Sequence, residues 1–136
     1  MNAISAEPAL YDVGVDGVPT LFGLRDSTGF VSFPFQDFGS ENNGDHGDRL
    51  ARIELAGTGT ISAITRIHYH LDPNVATPYE LASVVLDEGP LVRSVLVDAP
   101  QARIGTRVRA ITVPVARGDE QVAELRFTAL IPEEDA

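Results

Sequence analysis

The sequence contains no cysteine. That excludes disulfides, thiolate zinc sites, iron–sulfur clusters and a cysteine nucleophile. It contains no lysine either: its ten bases, all arginine, face twenty acids, for a net charge of −10. A general nucleic-acid binder needs a cationic footprint that displaces counterions from phosphates, and this balance opposes one. No apolar run approaches the roughly 20 residues of a membrane span. The first residues, Met1-Asn2-Ala3-Ile4-Ser5-Ala6-Glu7, lack both the basic start and the apolar core of a secretory signal, so a cytoplasmic location is expected. There is no Gly-x-Ser-x-Gly elbow and no long stretch of 3.6-residue period. Gly57-Thr58-Gly59-Thr60 precedes a strand-like run, not a helix, so it offers no phosphate loop. Its glycines suit a bend where backbones approach closely.

What is present is ordinary globular material: 136 residues, 43% hydrophobic and 22% charged. A chain of this length buries roughly two thirds of its unfolded surface, enough for a core without a staple. Charge is unevenly spread. Residues 1–48 hold eight acids and one base, residues 58–117 five acids and six bases, and residues 118–136 six acids and one base. The middle is mildly positive between two acidic flanks.

Residues 1–19 show no clear period and read as loosely ordered. Thr20–Leu24 and Gly29–Phe33 read as short extended pieces around the turn chemistry of Arg25-Asp26-Ser27-Thr28. Residues 39–48 are polar and Gly-rich, a surface loop by composition. Leu50, Ile53 and Leu55 begin a strand that runs toward Gly57-Thr58-Gly59-Thr60, and Ile61–His70 follows as a β-branched, partly alternating run. The runs Tyr79–Leu86 and Leu91–Val97 flank Asp87-Glu88-Gly89-Pro90 and make a hairpin, with the two acids read as solvated. Residues 98–104 suit one helical turn capped by Asp98. The pattern of Val108–Val115 hints at a bulge, and Val122–Ile131 is the last strand. An open sheet of five such strands would leave edges and half its apolar surface wet. Closure into a five-stranded OB-fold barrel, with a long bent first strand and a helical turn after the third, solves both. The division expected is an arm over residues 1–56 and the barrel over 57–136.

Few residues suggest chemistry. His68 and His70, two apart on a strand, would share a face with Tyr69 opposite. The pair can hold a metal if a third ligand such as His46, Asp45 or Asp48 arrives, or serve as acid and base. It equally suits the solvated end of a strand. Phe30, Phe33, Phe35 and Phe38 cluster around Pro34, as a small core or as an exposed patch for a protein partner.

In order along the chain, Gly57-Thr58-Gly59-Thr60-Ile61-Ser62-Ala63-Ile64-Thr65, then Pro78-Tyr79 with its Leu86-Asp87-Glu88-Gly89 turn, then Ile104-Gly105-Thr106-Arg107-Val108 resemble the acyl-CoA-associated family that joins a rubredoxin-like zinc ribbon to an OB-fold and works beside thiolase-type enzymes. The family's ribbon reads Cys-x-x-Cys-Gly followed by an aromatic and Pro. Here Arg25-Asp26-Ser27-Thr28-Gly29 keeps only the Gly, and Phe33-Pro34 follows. The resemblance thus implies an all-β fold with a degenerate, metal-free ribbon arm, its zinc offset by phenylalanine packing. It further implies a non-catalytic accessory subunit in a hetero-oligomer with a thiolase-like protein. The shared substrate would be a coenzyme A thioester in thiolysis, condensation or retro-aldol cleavage, with no tightly bound cofactor. Partner or acyl-CoA contacts would come from Phe30, Phe33, Phe35, Phe38, Arg66, His68, Tyr69, His70 and Tyr79, with Arg93, Arg107 and Arg109 as further cations. Two rival functions are an OB-fold module for single-stranded nucleic acid or another ligand, and a small standalone enzyme using His68 and His70.

Overall fold

Two glycines set where the strands begin. Gly57 has φ +77°, a left-handed conformation that glycine takes without steric cost. It ends one extended run and starts another. At Gly59 a Cβ would lie 2.6 Å from the Val85 carbonyl oxygen and 2.7 Å from a Val84 methyl, so only glycine lets the two backbones meet there. The computed structural model describes residues 4–14, 16, 18–33, 44, 49–73 and 75–130. Every regular element among them is a strand: β1 Ile4–Ser5, β2 Tyr11–Val13, β3 Pro19–Arg25, β4 Val31–Ser32, β5 Ala51–Leu55, β6 Thr58–Ile67, β7 Tyr79–Leu86, β8 Leu91–Val95, β9 Arg107–Arg117 and β10 Glu120–Ala129.

The strands form two sheets. The larger has the order β1-β10-β9-β6-β7-β8, and the smaller joins β2, β4 and β5 to a central β3. Strands β6 to β10 follow the order of an OB-fold, and inward positions along them form its core. Ile61, Val84, Leu86, Val108 and Phe127 are all at or below 1% exposure. The alternation of buried and exposed residues on β7 and β8 is what a half-buried strand requires.

The expected closure into a barrel is not completed: the sheet stays open, and its edges meet only at a narrow seam. Strand β8 reaches β10 through one parallel bridge, Leu96 to Phe127, with the Val97 amide donating to the Phe127 carbonyl at 2.9 Å. The Ser94 hydroxyl donates to the Leu125 carbonyl just before it. No continuous ladder forms because β1 already pairs with β10 at Val122 and Ala123, leaving β8 only the C-terminal half of that edge.

Three local expectations are corrected. The segment 98–106 is not a helical turn. Asp98 sits at φ 51°, and two i+3 turns, Ala102 to Ala99 and Thr106 to Arg103, carry the chain across. The bulge lies at Ser62 in β6, between Ile61 and Ala63, while β9 runs unbroken along β10. That is where the first barrel strand bends. Residues 4–13 are ordered as β1 and β2: the Tyr11 side chain is buried and its hydroxyl donates to the Ala123 carbonyl at 2.7 Å. Both strands are too short to show a period, and pairing with other strands fixes them.

The small sheet shares its core with the barrel. Tyr11, Leu21, Phe33 and Leu55 pack in one cluster with Ile61, Val84, Val92 and Phe127. Its β3–β4 turn is organised by one carboxylate. Asp26 Oδ1 accepts hydrogen bonds from the Thr28 amide (2.9 Å), the Thr28 hydroxyl (2.6 Å) and the Phe30 amide (3.1 Å), and the residue is only 5% exposed. This is the segment where the resembled family carries its first thiolate pair.

Candidate interaction site

The β6–β7 connection gathers the largest group of candidate residues. Cross-strand register sets Arg66 opposite Glu80 and Ile67 opposite Tyr79. Arg66 and Glu80 form an ion pair at 3.1 Å in which the arginine is exposed and the glutamate partly covered, an arrangement worth little net stability. Strand β6 stops at Ile67, so His68, Tyr69 and His70 are in the loop and not on a strand with a shared face. There Tyr69 is 76% exposed and Leu71 87% exposed. His70 Nδ1 accepts the Asp72 amide at 3.0 Å, and its ring lies 6.4 Å from that of Tyr79, tilted by 55°. One imidazole nitrogen is thus engaged in shaping the loop. Among the described residues no three His, Asp or Glu side chains converge as metal ligands; His46, Asp45 and Asp48 lie outside the described residues.

The phenylalanines separate. Phe30 is 40% exposed beside the β3–β4 turn, whereas Phe33 is 5% exposed and belongs to the core. Phe35 and Phe38 lie outside the described residues. Phe33 also walls a cleft of about 240 Å³ where the seam between β8 and β10 widens, together with Leu10, Val92 and Leu125. Arg93, Arg117 and Arg126 reach the same cleft, and Glu124 pairs with Arg126 at 2.8 Å and Arg117 at 3.4 Å.

The strongest electrostatic feature lies at the opposite end of β7 and went unread in the sequence. Asp87, expected to be merely solvated, receives both guanidinium nitrogens of Arg107 at 2.7 and 2.9 Å. The Thr58 hydroxyl donates to it at 2.5 Å, and Arg107 also donates to the Thr60 hydroxyl at 3.1 Å. Hydrogen bonding to Arg107, then to Thr58, lowers the Asp87 carboxyl from its ordinary 3.8 to about 2, and the same bond raises Arg107. Next to it, Glu88 Oε2 accepts the Ala56 amide at 2.8 Å, tying the hairpin to the junction between the sheets. These contacts clasp the start of β6 to β7 and β9. Their partners lie 20 to 47 residues apart in the sequence, so the spacing of acids and bases carries no sign of them.

Residues 52–113 match the family described as the C-terminal OB-fold domain of ChsH2. Among solved structures the chain is similar to one titled "Ltp2-ChsH2(DUF35) aldolase", with a TM-score of 0.64 and 23% identity over 82% of this chain and 86% of that one. At that identity the likeness is one of fold. No protein of curated function matches the chain in sequence.

Proposed function

Proceeding from a ChsH2-type OB-fold domain across residues 52–113, we propose that this chain is the accessory subunit of a thiolase-like enzyme, in which the partner carries the reacting groups. The observation that carries this reading is the family match of the barrel. The fold likeness over most of the chain, to a structure whose title names an aldolase complex, supports it. Retro-aldol cleavage is accordingly the favoured reaction class within the thiolysis, condensation and cleavage group.

The residues present fit a supporting role toward a coenzyme A thioester better than a containing one. The seam cleft of about 240 Å³ lies below the roughly 300–1,000 Å³ of sites that enclose a small-molecule ligand, and the larger hollow of about 710 Å³ beside the β3–β4 turn is a wide surface depression that encloses nothing. Two of its three arginines are already paired by Glu124. The thioester would therefore be enclosed by the partner, with this chain supplying part of a wall. His68 and His70 lend no support to a standalone enzyme, since both are exposed in the loop and one nitrogen of His70 is used by the backbone.

The test is affinity purification of the tagged chain from its host, with size-exclusion chromatography and mass spectrometry of what comes with it. A thiolase-fold protein in stoichiometric amount is expected. A chain that purifies alone, with no such protein bound, overturns the proposal.

A further inference from the structure

The outer face of β6, β7 and β8 carries little charge. Val84, Leu86 and Val92 point inward, so by alternation Leu81, Ser83, Val85, Leu91, Arg93 and Val95 point outward on β7 and β8. On β6, after the Ser62 bulge, Ala63, Thr65 and Ile67 join them, and Tyr79 pairs beside Ile67. Register sets the outward rows as Ala63–Ser83–Arg93 and Thr65–Leu81–Val95, with Val85 beside Leu91. Arg93 is the one charge on a three-strand face of a chain that is 22% charged. Leu91 is 51% exposed, and a shallow depression lined by Ala63, Thr65, Leu81, Ser83 and Arg93 lies at the centre. Among the described residues Arg93 makes no ion pair. The face continues through Tyr79 into the loop that exposes Tyr69 and Leu71.

An uncharged centre holding tyrosine and a single arginine has the composition of an interface core. Nucleic acid is a poor occupant, because one cation displaces few counterions. A second copy is also a poor one. A two-fold contact sets the same patch against itself, bringing two Arg93 side chains into one apolar centre.

Resting on the reading given above, we propose that this face is where the thiolase-type partner docks, through an apolar patch that carries one carboxylate opposite Arg93. The Arg107–Asp87 end and the outer side of β9 and β10 stay outside the contact.

The probe is the thiolase-type protein that co-purifies with the wild-type chain, titrated against variants checked by circular dichroism and thermal melting. Leu91→Glu puts an unpaired charge into the patch and should weaken binding at least ~30-fold; Arg93→Glu, on an exposed residue without an ion pair among the described residues, should weaken it at least ~10-fold while leaving the melting temperature close to wild type. Thr128→Glu adds the same charge to the outer side of β10 and should leave binding within about threefold of wild type. If Arg93→Glu and any folded Leu91→Glu both bind like wild type, the docking face is wrong while the partner reading survives. If the wild-type chain self-associates through Leu91 and Arg93 instead, the face is a homotypic interface and the proposal fails. If wild type retains no thiolase-type protein, both proposals fall.

Discussion

The two sheets are stabilised in different ways. The large sheet encloses its own core, with Ile61, Val84, Leu86, Val108 and Phe127 essentially inaccessible to solvent. The small sheet fully buries only Leu21, and Tyr11, Phe33 and Leu55 complete its packing against the barrel. Its other tie is the Asp26 turn, where one carboxylate gathers three donors. The strands of the large sheet supply most of the shared core, and the small sheet completes its packing against them. The small sheet can persist on those terms, because burial against the neighbouring strands stabilises what its own few residues could not.

The difference can be broken from the barrel side first. Phe127→Ala empties a fully buried site that also carries the seam, and should cost ~4–5 kcal/mol. Chemical denaturation should show both sheets melting earlier in one transition. Phe33→Ala should cost ~3 kcal/mol but fall on the small sheet. Methyl NMR signals of Leu21 and Leu55 should broaden while those of Ile61 and Val84 hold their positions. Equal broadening in both sets would show that the barrel depends on the arm as much as the arm on the barrel. Asp26→Ala strands the donors of a nearly buried turn and should cost ~1–3 kcal/mol. Asp26→Asn, which keeps an acceptor, should recover part of that loss, and chelators should leave the melting temperature unchanged.

The smallest effect belongs to the exposed clasp. The Asp87 carboxyl is held at about 2 in the folded chain against 3.8 in its absence. A depressed carboxyl contributes above the unfolded value and loses that contribution as pH falls through the folded one. Wild type should therefore lose a small increment of stability between about pH 4 and pH 2 that Asp87→Asn does not lose. Because both partners are more than 40% exposed in their side chains, added salt should shrink the increment.

How much of this was legible depends on the range of the interactions. The hairpin Tyr79–Val95 and the last strand are written in local alternation and turn residues, and the sequence places them to within two residues. The close approach at Gly59 was also readable, since two glycines beside threonines before a β-branched run suit a bend and little else. What was hidden depends on residues distant in sequence. Tyr11 looks unremarkable in its own segment, yet its hydroxyl finds a carbonyl 112 positions away. Asp98 and Pro100 satisfy the local rules for a helix start, but Asp98 takes a left-handed φ of 51° and the chain crosses to β9 through two turns instead. Of the candidate site residues, Arg66, His68, Tyr69, His70 and Tyr79 do meet at one loop. Phe33 does not join them, because an aromatic flanked by strands on a small sheet is pulled into the shared core.

The single Leu96–Phe127 bridge has a consequence for motion. A sheet whose edges meet through so few hydrogen bonds has a weakest line, and local opening follows the line of least backbone pairing. Amide hydrogens at Val97 and along the neighbouring edge of β10 should exchange with deuterated solvent well before those between β6 and β7. The barrel would then breathe along one stave while the remaining staves keep its shape.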